Sequence, residues 1–148
     1  MIRRVIVPKR LDYRKAGQYD EAINEFTTAI QLDPKNKLAY ANRGDTYFQL
    51  EKYAEALKDY SKRVELDPEN TFCYIDRGYT YWELDDLDKS EEDFNKSFKV
   101  LEDAGITIKQ DRDVGMAYYC RGLCYQELGD NTQAQADFKK AKELGYEN

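Results

Sequence analysis

The sequence predicts an all-α chain folded as a helix-turn-helix solenoid, on three observations. A shift of 34 residues carries Tyr40, Arg43, Gly44, Tyr47 and Leu50 onto Tyr74, Arg77, Gly78, Tyr81 and Leu84. A fixed period of that length marks stacked helix pairs. Within the period, apolar residues recur at helical spacing, as in the stripe Ala22, Ile23, Phe26, Ala29 and Ile30. Asp33-Pro34 and Asp67-Pro68 then end the second helix of a pair. Proline brings no amide donor and biases the residue before it away from the helix.

Four repeats account for the chain 1–148 as a single array. In the first, 3–36, the second helix runs from Tyr19 to Leu32. Its first helix is poor, because Pro8 removes a donor and Arg10 stands where the other repeats have glycine. Helix is expected there only from about Lys9, with 1–8 extended or disordered. The second repeat, 37–70, is intact. Gly44 permits close approach of two helices and Ala56 is expected opposite it, with Tyr40, Tyr47, Leu50 and Tyr60 around the contact. The stem of Arg43 can cover apolar surface while its guanidinium reaches an acid. The third repeat, 71–104, has Ser90 in place of Ala56 and Glu102 in place of Pro68. Its second helix should therefore run past Val100 toward Asp103, with Gly105 as cap. Glycine spacing then grows from 34 to 44 residues, which places an insertion at 105–114, a loop with extra helical turn beside it. The fourth repeat, 115–148, resumes with Tyr118, Arg121, Gly122, Tyr125, Ala134 and Phe138. No separate capping helix follows, so the polar side of the last helix (Gln133, Lys140, Lys142, Glu143) is expected to do part of that work, the alternatives being a longer parent chain or another chain over the end.

Charge and composition narrow the function. Residues 1–10 hold Arg3, Arg4, Lys9 and Arg10 and no acid, so a net charge of −6 leaves −10 on the rest. An acidic body argues against a nucleic-acid partner, whose backbone needs a positive surface. The chain has no His and no glycine-rich phosphate loop. With the commonest general base missing, no enzyme activity and no cofactor are expected. Cys73, Cys120 and Cys124 read as structural thiols of a reducing compartment rather than ligands, since zinc usually takes four ligands. No signal peptide and no run long enough to span a membrane is visible, so a cytoplasmic protein without membrane contact is expected.

At Tyr40, Gly44, Tyr47, Leu50, Ala56, Tyr60 and Pro68 the chain resembles the tetratricopeptide repeat family. The resemblance implies a right-handed superhelix and a non-enzymatic scaffold or adaptor. It also implies a concave groove lined by the first helix of each repeat. By spacing, that groove takes Asn42, Asp45, Phe48 and Gln49 from the second repeat. The third supplies Phe72, Ile75, Asp76, Tyr79, Trp82 and Glu83, and the fourth Met116, Tyr119, Leu123 and Gln126. Large rings with acids at intervals suit a protein or peptide with apolar anchors and some basic residues. The chain's own MIRRVIVPKR has that composition. Chaperone-binding members of the family clamp a terminal carboxylate at positions matching Val7, Leu11, Asn42, Phe72 and Asp76. Here only Asn42 agrees, and Asp76 would repel the carboxylate. The alternative is a structural array whose ends or N-terminal segment pair with another copy, giving a homo-oligomer.

Overall fold

The computed structural model describes residues 16–107 and 111–147. The first helix expected in repeat one, from Lys9, lies outside the described residues. Those described form seven helices and no strand. In order they are α1 (Ala16–Leu32), α2 (Lys37–Gln49), α3 (Tyr53–Leu66), α4 (Thr71–Glu83), α5 (Leu87–Asp103), α6 (Arg112–Glu127) and α7 (Asn131–Glu143).

Local chemistry sets the helix ends. The side chains of Asn36, Asn70, Asp86, Asp111 and Asp130 accept hydrogen bonds from first-turn amides of α2, α4, α5, α6 and α7. Between the two helices of each pair the backbone turns left-handed at one repeating place: Glu51 (φ 59°), Asp85 (φ 62°) and Gly129 (φ 88°). The next amide then folds back onto the first helix, Lys52 to Tyr47, Asp86 to Tyr81 and Asp130 to Tyr125.

The pairs α2/α3, α4/α5 and α6/α7 close on glycine, and an aromatic ring rather than the small residue lies nearest the place a glycine side chain would take. A Cβ on Gly44, Gly78 or Gly122 would meet the ring of Tyr60, Phe94 or Phe138 at 2.8, 2.8 and 2.6 Å. The glycine makes room for an aromatic ring sixteen residues on, and Ala56 is buried beside that contact. Ser90 replaces alanine because its hydroxyl donates to the carbonyl of Gly78 at 2.8 Å.

Each pair is also pinned by charge. Arg43 donates twice to Asp59, at 2.8 and 2.7 Å, and Arg77 and Arg121 grip Asp93 and Asp137 the same way. Fork-on-carboxylate geometry fixes orientation as well as distance. A further nitrogen of Arg43 reaches Thr27 on α1 at 3.1 Å, and one of Arg121 reaches Asn95 on α5 at 2.8 Å. These arginines therefore tie their pair to the one before it.

The expected overrun of the third repeat is present: α5 has 17 residues against 14 in α3, and Gly105 follows at φ 68°. The insertion also lengthens α6 to 16 residues, against 13 in α2 and α4. At this joint Phe98 stacks on Tyr118 at 3.9 Å and the Arg121 guanidinium covers Phe98 at 4.8 Å. The end of α7 is closed by the chain itself. Gly145 (φ 91°) turns it back, and Leu144 and Tyr146 bury themselves against Gly115 of α6. Gln133, Lys140, Lys142 and Glu143 of α7 are exposed.

Layering follows from which helices touch. α4 packs directly on α6, while the second helices of successive pairs make no comparable contact. α4 and α6 therefore form an inner layer with α5 and α7 outside it, and the 34-residue period assigns α2 to the same layer.

Candidate peptide-binding face

The inner side of α2, α4 and α6 holds the fourteen residues assigned to a groove, and the structure divides them. Ile75, Tyr79, Trp82 and Met116 do not project from an open wall. They are 1%, 3%, 3% and 0% exposed, in one core cluster with Val114, Ala117 and Cys120. The physical reason is the α4–α6 contact: an inner helix flanked on both sides buries more than one stripe. Asp76 is also withdrawn, since it is buried and Arg63 on α3 donates to it at 3.0 Å. It joins the α2/α3 pair to the α4/α5 pair rather than selecting a cationic ligand. Asp45 accepts from the Tyr60 hydroxyl at 2.5 Å, and Gln49 accepts from the Tyr19 hydroxyl at 3.2 Å.

What stays accessible is a smaller face over that buried floor. Asn42, Phe48, Phe72, Glu83, Tyr119 and Leu123 are half-buried and Gln126 is exposed. Phe48, Phe72, Tyr119 and Leu123 pack by one side against the core cluster. Phe48 also meets Tyr53 edge-on at 5.1 Å, and Tyr119 lies 5.2 Å from Tyr146. The C-terminal turn thereby backs Tyr119 with a buried ring. Tyr119, Phe138, Ala141 and Tyr146 line a shallow recess there, with Lys142 and Glu147 at its rim.

Carboxylates gather at one edge. Gln49, Glu83 and Glu127 occupy equivalent places at the ends of the inner helices, and Glu51 and Asp85 follow in the turns. Glu51 and Asp85 were missed as members of this edge. The period carries one onto the other, which was the available signal.

Burial pushes the Tyr79 phenol and the Cys120 thiol well above their ordinary values. A thiol held protonated is a poor nucleophile and a poor metal ligand. Among the described residues no group of three His, Cys, Asp or Glu side chains could hold a metal ion. No described helix is long and apolar enough to cross a membrane. The face offers contact chemistry: rings, aliphatic surface and a carboxylate edge.

Sequence and structure comparisons agree with this architecture. A model described as TPR repeat matches residues 11–50, and one described as tetratricopeptide repeat matches 38–70. A second tetratricopeptide repeat model matches 73–100 and 117–144. RNA polymerase II-associated protein 3 of Homo sapiens is 42% identical over 48 residues, 32% of this chain and 7% of that protein. Its Xenopus tropicalis counterpart is 44% identical over 41 residues, 28% of this chain and 6% of that protein. The matching stretch therefore spans under a tenth of those relatives. Among solved structures, a crystal structure of MamA superposes with a TM-score of 0.75 at 21% identity, covering 91% of this chain and 75% of that one. MamA 41-end from Desulfovibrio magneticus RS-1 gives 0.71 at 22%, covering 86% and 67%. At this identity the likeness is one of fold.

Proposed function

Because the chain belongs to the tetratricopeptide repeat family, a family of non-catalytic protein-interaction scaffolds, we propose that its inner face binds a protein segment carrying apolar anchors and basic residues. The observation that supports this reading is that Phe48, Phe72 and Tyr119 stay half-buried on α2, α4 and α6, while Glu83 and Glu127 stand at the ends of α4 and α6. The rings supply desolvation energy and the carboxylates favour Lys or Arg beside them. Solenoids use their extended inner surfaces for such partners.

End-to-end stacking of copies on α7 is less well supported. Where α5 presents Phe98 and Asn95 to the next pair, α7 carries exposed Lys142 and Lys139. A copy seated there would have to desolvate both lysines.

Calorimetry tests the proposal with a decapeptide alternating Val or Ile with Arg. One-to-one binding is expected, weakened about tenfold by Glu83→Lys with Glu127→Lys and untouched by Lys139→Glu with Lys142→Glu. Equal affinity in all three chains would overturn it.

A further inference from the structure

We propose that the joint between α5 and α6 holds a second binding site, for a protein segment that carries an apolar side chain between an acid and a base. The site is separate from the inner face and does not rest on the reading of that face.

It exists because one bond of the array is missing there. The Tyr40 hydroxyl donates to the Pro34 carbonyl at 3.0 Å, and the Tyr74 hydroxyl to that of Pro68 at 2.8 Å. Tyr118 is the equivalent residue of the fourth repeat, but Glu102 stands in place of the proline. α5 runs on through Glu102, whose carbonyl accepts from the Gly105 amide at 2.9 Å. The ring of Tyr118 lies flat on Phe98 at 3.9 Å, and among the described residues its hydroxyl has no hydrogen-bond partner. A half-buried hydroxyl left unbonded costs free energy that a ligand can recover.

Beside that hydroxyl lies a cavity of about 400 Å³, within the range that holds a ligand group. Phe98 and Glu102 come to it from the end of α5, Lys140 and Leu144 from the end of α7. The stacked rings of Phe98 and Tyr118 offer an aromatic surface for an apolar anchor. Ile106, in the turn after α5, also lines the cavity and is 52% exposed. An anchor seated there removes its side chain from water.

Charge sets what flanks the anchor. Glu102 on α5 and Lys140 on α7 are both exposed and opposite in sign. A base is drawn to Glu102, and an acid to Lys140 and the Tyr118 hydroxyl. A segment with bases on both sides of its anchor, the chemistry proposed for the inner face, is repelled by Lys140. The two sites therefore select different partner sequences.

The full chain and a capped Gly-Ser-Glu-Phe-Lys-Ser-Gly peptide carry the test. Amide shift mapping is expected to move Phe98, Ile106 and Tyr118 saturably and to leave Phe48 and Phe72 unmoved. Lys140→Glu should weaken this peptide about tenfold and make a Lys-Phe-Lys version the better ligand. Glu102→Lys should instead favour Glu-Phe-Glu. Tyr118→Phe should weaken the peptide about threefold with the melting temperature unchanged, whereas Tyr74→Phe loses a bond within the array and should melt lower. No saturable shift at Phe98 and Tyr118 with millimolar peptide, shifts at Phe48 and Phe72 in their place, or charge variants that leave the peptide preference unchanged, overturn the inference. So does a fall in melting temperature for Tyr118→Phe equal to that for Tyr74→Phe, since the hydroxyl would then be spent within the protein. Each of these outcomes leaves the reading of the inner face standing, because its own variants, Glu83→Lys with Glu127→Lys, lie elsewhere.

Discussion

Arg77 on α4 and Asp93 on α5 meet through two hydrogen bonds of 2.8 Å, with the carboxylate side chain 7% exposed and the arginine 22%. The same pair recurs as Arg43–Asp59 and Arg121–Asp137, always sixteen residues apart. Three equivalent clamps hold the outer helix of each pair in register with the inner one. That register fixes which side of α2, α4 and α6 remains for a partner. Removing one member strands a charge in a half-buried place. Asp93→Ala is expected to cost about 3 kcal/mol in urea denaturation. Arg77→Leu with Asp93→Leu should cost clearly less, because no charge is left behind. Equal losses from the single and double changes would show that the pair contributes through packing alone.

The glycine–ring contacts should rank by the freedom of the ring rather than by distance. Gly122 makes the shorter approach, 2.6 Å to Phe138, against 2.8 Å from Gly78 to Phe94. Phe94 is 0% exposed and cannot turn away, whereas Phe138 is half-buried. Overpacking costs about 1–3 kcal/mol, and alanine returns about 1 kcal/mol of helix propensity. Gly78→Ala is therefore expected to lower stability by about 1–2 kcal/mol, and Gly122→Ala to lie closer to neutral. Thermal unfolding of the two variants checks the order, and the reverse order would contradict it.

Acid should loosen the last helix through its cap. The Gln133 amide, and then the Gln133 side chain, hold the Asp130 carboxyl below the usual carboxylate range. A depressed value in the folded state means stability that is present above the unfolded value, about 3.9, and lost as pH falls through the folded one. Asp130→Asn keeps an acceptor without the charge. The melting-temperature advantage of the unaltered chain over this variant should shrink as pH falls from about 6 to about 3. A constant difference across that range would sink the assignment.

The three thiols should be silent in the native state. Each is 0% exposed, and burial, with Cys124 adding to it, pushes the Cys120 thiol well up. A disulfide reagent is expected to react only on unfolding, at the unfolding rate. A rapid native burst from any one of them would contradict the placement.

Much of the fold was legible because the period repeats the punctuation as well as the apolar positions. The Asp-Pro stops, the extension of α5 where Glu102 replaces proline, and the glycine of each pair were all readable. The ring opposite each glycine was not, because Ala56 and Tyr60 both fall on the facing side of the second helix by spacing. The aspartate partners were hidden among the many acids of an acidic chain, though the sixteen-residue offset was there to be counted. The face was over-read for a different reason. Helical spacing shows that Ile75, Tyr79, Trp82 and Met116 lie away from the pair's own contact, but not that the next inner helix covers them. On α2, which makes no contact with α4 comparable to that of α4 with α6, Phe48 stays half-buried.

The most direct measurement of the central claim is an amide chemical-shift map of the full chain titrated with the basic, apolar decapeptide. The account predicts saturable shifts concentrated on Phe48, Phe72, Glu83, Tyr119 and Glu127, with the exposed rows of α3, α5 and α7 unmoved. Shifts confined to those outer rows, or no saturable shift at millimolar peptide, would contradict it.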